Sequence, residues 1–278
     1  MKESTRVVAR LVERAMGPLE ARGLTRPQGL FVLGYHRIDD SGGHLSVGCD
    51  DFEAHLEWLH FAGFQVVDVA RPRFPAPGEP PCVAITFDDG YLSVAREAWP
   101  RLRARGWPAT LYVVPGYLDG RSAFPWEENA AEERARLVDA ALVRRLASEG
   151  MTIGSHSMTH RYLPGLDRAE ASREIVDSRR ALEDLVGVEV ATFSYPMGGY
   201  NERLRDLVAE AGYATAVTTR RGRNGARDDL LALRRPIVES DPADLARIVK
   251  GCYDFLRPFD LWRERRRQRS ARPAMRAA

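Results

Sequence analysis

Cysteine is scarce in this chain. Cys49, Cys82 and Cys252 are its full complement, too few and too scattered for a disulfide framework or a cysteine zinc cluster, which fits a reducing compartment. Cys82 heads an apolar run and reads as a small core residue. Long uncharged runs are lacking too. Between Met1 and Gly23, the residues Glu3, Arg6, Arg10, Glu13, Arg14 and Glu20 interrupt every stretch that could form a signal-peptide core or a membrane span. The expected location is therefore cytoplasmic. No short internal repeat is visible.

What is present suits one large core. With 278 residues, 44% hydrophobic and 29% charged, the chain falls in the size range of a single α/β barrel. Val7, Val8, Leu11, Val12 and Ala15 recur at helical spacing with Arg6, Arg10 and Arg14 interleaved, so residues 1–27 read as an amphipathic helix and linker. A barrel is expected over 28–252, and 253–278 forms an aromatic, then Arg-rich tail. From Trp262 onward seven arginines face only Glu264, a local charge of +6 in a chain whose total is +2, so the remainder sums to −4. Tyr253, Phe255, Leu256, Phe259, Leu261 and Trp262 precede that charge, and the two basic termini together could rest on an anionic bilayer at the inner membrane face. A solvated, disordered end is the plainer expectation. Nucleic acid is not expected, because no recognised binding fold accompanies the charge.

Apolar runs alternate with helical patterns along the chain. Strands are expected at Leu30–Leu33, Phe64–Val69, Cys82–Phe87, Ala109–Val114, Met151–Gly154, Ala191–Tyr195, Thr215–Thr219 and Leu233–Val238. Asp50 or Asp51 caps a helix with Phe52, Leu56 and Leu59 on one face, which leaves His55 and His60 as surface histidines. Further helices are expected over Leu92–Arg105, over Glu132–Ser148, after the capping box of Asp167 and Glu170, over Glu202–Ala211 and over Ala243–Tyr253. Gly116–Ala130 and Arg220–Asp229 are loops near strand ends, where binding residues collect. About eight such repeats favour a (β/α) barrel, whose sites lie at the C-terminal ends of the strands.

The motifs fall at those ends. Thr86-Phe87-Asp88-Asp89-Gly90 follows the run Val83-Ala84-Ile85. Two adjacent carboxylates past a buried strand raise each other's pKa and resist desolvation, so a cation is expected nearby. Neighbouring strand side chains point to opposite faces, which lets one Asp bind a metal while the other moves protons. His156 and His160 stand four positions apart, and in a helix or tight turn their imidazoles share a face. Histidines at this spacing are often incidental. Asp89, from another strand end, completes a two-His-one-carboxylate set, a common open arrangement for a catalytic divalent ion. Zinc is the default, and cobalt, nickel or iron fit the same ligands. Such a site suits hydrolysis: the ion lowers the pKa of water to about 7, and Asp88 is placed to take the proton. A separate acid must protonate the leaving nitrogen, a contribution of about 10²–10⁴ in rate.

Thr86-Phe87-Asp88-Asp89-Gly90, His156-Ser157-Met158-Thr159-His160 and Phe193-Ser194-Tyr195-Pro196-Met197-Gly198, in this order, resemble the first three motifs of the polysaccharide deacetylases, carbohydrate esterase family 4. The likeness runs from about Phe31 to Val238. It implies a distorted (β/α) barrel of seven to eight parallel strands and metal-dependent removal of an N-acetyl, sometimes O-acetyl, group from a sugar, as in exopolysaccharide biosynthesis. Carried onto this chain, Asp88 is the base, Asp89, His156 and His160 bind the metal, the backbone N–H of Met197 helps hold the oxyanion, and Tyr195 binds substrate.

Two departures from the family pattern are visible. Ser194 stands where many members carry an Arg that orients the base, and no histidine follows His160 to serve as the usual late acid. Tyr35-His36-Arg37 resembles the opening of a subgroup that includes the poly-N-acetylglucosamine deacetylases, in which the acid comes from the first strand, so His36 is expected as the acid. Arg235, at the last expected strand, is expected to pair with Asp88 in place of the missing Arg. The expected substrate is an N-acetylated carbohydrate; deformylation of a lipid-linked amino sugar and a catalytically silent glycan-binding protein are the alternatives.

Overall fold

The strands are short and buried on both faces, as in a parallel sheet covered by crossover helices. A computed structural model of the chain describes residues 3–21, 28–43, 45–119, 124–127 and 135–271. Its strands are β1 (Leu30–Tyr35), β2 (Arg37–Ile38), β3 (Ser46–Val47), β4 (Gln65–Val66), β5 (Cys82–Phe87), β6 (Thr110–Val113), β7 (Thr152–Ser155), β8 (Thr192–Ser194) and β9 (Thr215–Val217). A seven-stranded parallel sheet runs β1-β5-β6-β7-β8-β9 with β4 on β5, and β2 and β3 form a separate pair. β1 and β5 pair in register from Leu30 opposite Cys82 to Tyr35 opposite Phe87.

Strand alternation splits the interior in two. Leu30, Val32, Cys82 and Ala84 point to one side and meet Tyr112, Val217 and Leu233 in a small core inside the curl. Phe31, Leu33, Tyr35, Val83, Ile85 and Phe87 point to the other and join the large core beneath the helices. The sheet curls into a distorted half-barrel. Its edge strands are joined by isolated parallel bridges, Val217 to Leu233 and Gly34 to Ile237. The strand expected over Leu233–Val238 is therefore reduced to an irregular stave. Pro236 accepts from the Gly34 N–H at 3.0 Å but has no N–H of its own, so a regular ladder stops there.

Several helices differ from the sequence-based expectation, each for a local reason. The helix Cys49–Phe61 is capped by Gly48 without a side-chain bond, and Asp50 and Asp51 sit in its first turn, where the helix dipole favours acids. Asp40, from upstream, accepts from the Cys49 N–H at 2.9 Å. His55 is not on the surface. It is fully buried beside Phe52, Leu56 and Leu59, since a residue three after Phe52 and four before Leu59 lies inside the apolar stripe. His60 is exposed. The stretch after Leu92 is a π-helical turn, Val94–Ala98, followed by the helix Trp99–Ala104; Pro100 supplies no N–H to keep a continuous α-helical ladder. The next helix spans only Ala140–Ser148, capped by Asp139, because Leu137 bridges Tyr91 just before it. Residues 132–134 of the expected helix lie outside the described residues. The capping box of Asp167 and Glu170 on the helix Arg168–Val186 is formed, with Gly187 left-handed at its end.

Both ends of the described chain are helical. In the helix Glu3–Ala21, Ala9 packs with Cys252 and Tyr253, while Val7, Val8 and Leu11 face outward. The Arg-rich end, expected to be solvated and disordered, forms the helix Arg257–Ala271. It is tied back to the loop after β9 by Asp260, which accepts from Arg221 at 2.5 Å, and by Glu264, which accepts from Arg220 at 2.9 Å. No helix among the described residues is long and apolar enough to cross a membrane.

Burial carries the His55 imidazole down to about 4, against a smaller opposing effect of Asp241. Its stabilising contribution is complete above the unfolded value near 6.5 and is lost as the pH falls toward about 4, because the unfolded chain takes up the proton first. The shift corresponds to about 3 kcal/mol at most. Urea unfolding between pH 7 and 4 is expected to show this slope, and His55→Leu, which binds no proton, is expected to lose up to one proton's worth of it.

Candidate active site

Parallel strands end at one rim, and that rim gathers the motifs. β5 leads into Asp88 and Asp89, β7 into His156, and β8 ends on Ser194. Four non-glycine residues among the described ones have left-handed backbone: Asp89 (φ 72°), Ser157 (φ 62°), His160 (φ 59°) and Met197 (φ 55°). All four lie here. Such conformations are costly and persist only where neighbours enforce them. The His156–His160 stretch is a turn rather than a helix. The Ser157 hydroxyl accepts from the His160 N–H at 3.0 Å, and the Glu174 carboxylate accepts from the Thr159 N–H at 2.8 Å. The Glu174 carbonyl accepts from the Met158 N–H at 3.0 Å.

The turn brings both imidazoles to Asp89. Nε2 of His156 lies 3.5 Å and Nε2 of His160 3.3 Å from Asp89 Oδ1. Nδ1 of His156 donates to the Ser194 carbonyl at 2.8 Å, which leaves a bare lone pair on its Nε2. Burial holds His156 down at about 4 and His160 at about 3, so both rings are neutral, as metal ligands must be. Asp89 Oδ1 is buried without a hydrogen-bond partner among the described residues. Burial and then the charge of Asp88 push the Asp89 carboxyl upward. Two lone pairs aimed at a carboxylate oxygen repel unless a positive charge sits between them. Ligand atoms on a tetrahedral zinc are separated by about 3.3 Å, given Zn–N and Zn–O bonds of about 2.0–2.1 Å. The three residues therefore fit a divalent ion, and their ligand atoms all lie within 4.8 Å of one another.

Asp88 has a different environment. Its Oδ2 accepts from Arg235 Nη2 at 2.6 Å, and the same nitrogen reaches Ser194 Oγ at 3.0 Å. Burial opposes ionisation of Asp88, but the Arg235 guanidinium outweighs it and holds the carboxyl far below the carboxylate range. Oδ1 of Asp88 has no hydrogen-bond partner among the described residues. Arg235 is wholly buried. Room for it exists because residue 34 is glycine: a Cβ there would lie 2.9 Å from Arg235 Nη1 and 2.7 Å from Ile237 Cδ1.

His36 follows β1 directly, and the Asp88 N–H donates to the Tyr35 carbonyl at 2.9 Å, so His36 stands beside Asp88 and acts electrostatically on both Asp88 and His156. Met197 is 47% exposed at the rim, in the turn Pro196–Gly198. Tyr195 is not brought to the site. Its ring is buried and its hydroxyl donates to the Leu231 carbonyl at 3.0 Å, because the residue continues the outward face that Phe193 packs in β8. The side chain expected to bind substrate is thus spent in the core.

Three further groups complete the site. Glu174 anchors the histidine turn; an acid on the apolar face with Ala171, Ile175 and Leu182 was the available signal. Arg37, next to His36, is buried and donates to Glu127 Oε1 at 2.5 Å, which also accepts from the Tyr91 hydroxyl at 3.2 Å. Trp126, half exposed, stacks on Phe124 at 4.4 Å and stands 4.8 Å from His160, walling one side of that ring.

The family model for polysaccharide deacetylase matches residues 76–216. YxkH of Bacillus subtilis (strain 168), whose name assigns it to the polysaccharide deacetylases, is 32% identical over 215 residues, covering 76% of this chain and 71% of that protein. The chain belongs to the polysaccharide deacetylase family. The poly-β-1,6-N-acetyl-D-glucosamine N-deacetylase of Escherichia coli (strain K12) is 28% identical over 135 residues, covering 41% of this chain and 20% of that protein. The solved Streptococcus pyogenes deacetylase PplD shares the fold, with a TM-score of 0.66 and 23% identity over 80% of this chain and 99% of that one. Within this polysaccharide deacetylase, His36 and Arg235 lie outside the segment matched by the family model.

The donor set predicts one tightly held divalent ion per chain. His160→Ala is expected to weaken it by more than the roughly 100-fold that loss of an outer-shell partner can cost, and Asp88→Asn to retain it. Metal analysis after dialysis and calorimetric titration of the stripped protein check both.

Proposed function

We propose that the chain is a metal-dependent hydrolase that removes the N-acetyl group from an amino-sugar glycan or glycan precursor, with zinc as the ion. The observation that carries this reading is the division of two adjacent buried carboxylates, Asp88 on Arg235 and Asp89 facing two neutral histidines. Membership of the polysaccharide deacetylase family and the N-deacetylase named among its relatives support the substrate class.

Asp89, His156 and His160 would hold the zinc ion, which would supply Lewis acidity and lower the pKa of a water to about 7. Asp88 is the base. Arg235 occupies one of its oxygens and keeps it ionised, leaving Oδ1 to take the proton of the attacking water. The Met197 N–H, presented by its left-handed turn, donates to the oxyanion, a contact typically contributing about 2.7–4 kcal/mol. His36 then gives a proton to the sugar nitrogen as the C–N bond breaks, and acetate and the free amine leave.

A screen of acetylated amino sugars, free, oligomeric and lipid-linked, tests the reading with metal-loaded protein. Acetate release is expected; formate release from formylated sugars alone would assign a deformylase, and no release from any glycan would leave a binding protein. Asp88→Asn is expected to cost about 10²–10⁴ in kcat on every substrate. His36→Gln should cost a similar factor on the amide but little on an aryl acetate, whose leaving group needs no proton. An equal loss on both would remove His36 as the acid.

Arg235 is assigned as a positioning residue for the base. In Arg235→Met the guanidinium no longer offsets burial, so the Asp88 carboxyl rises and the acid limb of kcat/KM moves to higher pH. An unchanged limb with reduced kcat would assign Arg235 to packing alone.

A further inference from the structure

The C-terminal helix Arg257–Ala271 carries only two acids, and both are engaged. Asp260 accepts from Arg221 at 2.5 and 2.6 Å, and Glu264 accepts from Arg220 at 3.0 and 2.9 Å. These pairs fasten the helix to the loop after β9 and commit both of its acids, leaving neither spare for the helix's own arginines. Three of them, Arg263, Arg266 and Arg267, line a groove of about 660 Å³ together with Tyr162, Met197 and Trp262. Among the described residues, no carboxylate lines that groove. An adjoining cleft of about 230 Å³ shares Arg263 and Arg267 and extends to Gly198 and Thr219. The carboxylates it contains are already paired: Asp260 and Glu264 as above, and Glu239 with Arg6 at 3.2 Å.

Guanidinium groups gathered along one groove repel one another, and an oxyanion relieves the repulsion. The groove also begins at the site. Met197 forms its wall and is three residues from Ser194, whose carbonyl holds His156; three residues span at most about 11 Å. The groove therefore opens beside the rim. Trp262, half exposed with Arg266 over its ring at 5.6 Å, adds an aromatic wall.

We propose that this groove binds a phosphate ester borne by the substrate, so that the sugar deacylated at the rim is a sugar phosphate rather than a neutral glycan. The proposal rests on the hydrolase reading above and adds its specificity. A phosphate offers several acceptor oxygens and up to two charges, which suits several guanidinium forks better than a single carboxylate does. A soluble sugar phosphate and the headgroup of a lipid-linked sugar both present this phosphate chemistry.

Calorimetry on the metal-loaded full chain, with N-acetylglucosamine and N-acetylglucosamine 1-phosphate as probes, tests this without turnover. The phosphorylated sugar is expected to bind at least tenfold tighter, with the preference shrinking as salt rises. The double substitution Arg263→Gln and Arg267→Gln, at exposed positions, is expected to bring the ratio close to one, and the Lys pair to restore part of it. The ratio of kcat/KM for acetate release from the two sugars should follow the same pattern. A polyprenyl diphosphate-linked N-acetylglucosamine in detergent micelles separates the sources: preference over the soluble phosphate assigns the lipid-linked form, and no added preference assigns the soluble one. Equal affinity for the neutral and phosphorylated sugars, or a preference that survives the double substitution, overturns the proposal. Groove-dependent binding without release of any acyl group overturns the hydrolase reading instead.

Discussion

Two neighbouring carboxylates, Asp88 and Asp89, are buried to within a few per cent of full occlusion, and the site's geometry follows from the need to compensate them. Both charges cannot be left bare at such depth, and they cannot share one partner, because they follow a strand and point different ways. Asp88 receives a guanidinium. Asp89 receives a place for a cation, built from two imidazoles that burial keeps neutral. The irregular stave Leu233–Ile237 matters for this reason: it joins the sheet's edges and delivers Arg235 to the rim from 147 residues away in sequence. Gly34 and Ser194 belong to the same solution, one by leaving space and the other by accepting a hydrogen bond.

The second constraint is backbone strain, concentrated around Asp89 and the two histidines. Left-handed conformations at Asp89, Ser157, His160 and Met197 are held by short polar contacts and by Glu174, which reaches into the turn from the helix behind it. This precision has a cost in stability that the two cores bear. Strand β5 faces the small core with Cys82 and Ala84 and the large one with Val83, Ile85 and Phe87, so the strand that carries the Asp pair is anchored on both sides.

The terminal helices modify the rim without building it. Arg220 and Arg221 consume the acids of the C-terminal helix, and the charge left over faces the same opening as Met197. A segment whose composition alone suggests a solvated tail thereby becomes a wall. The aromatic pair Phe124 and Trp126 closes the opposite approach at His160.

Much of this was legible in the residue order. Alternating apolar runs and helix signals specify a parallel α/β barrel, because strand burial and capping are local effects; the Asp167–Glu170 capping box is one such case. The Asp-Asp and His-x-x-x-His motifs are local too, and their residue types already imply a cation. Pairings across the fold were harder to read. The pairing of Arg235 with Asp88 is legible only through a missing residue elsewhere, while Glu174, Glu127 and the core-buried Tyr195 carry no signal strong enough to separate a core role from a surface or substrate-binding one. His55 was misplaced because polarity was weighed above its position in the apolar stripe. The Arg-rich helix was misread because its ordering depends on Arg220 and Arg221, far back in the chain. Sequence by itself determined which chemical groups are available and which strand ends carry them, since these depend on near neighbours. Only the tertiary structure decided that Tyr195 and His55 turn into the core, that Glu174 holds the histidine turn, and where the surplus positive charge faces, because those outcomes depend on distances between segments that the chain order does not encode.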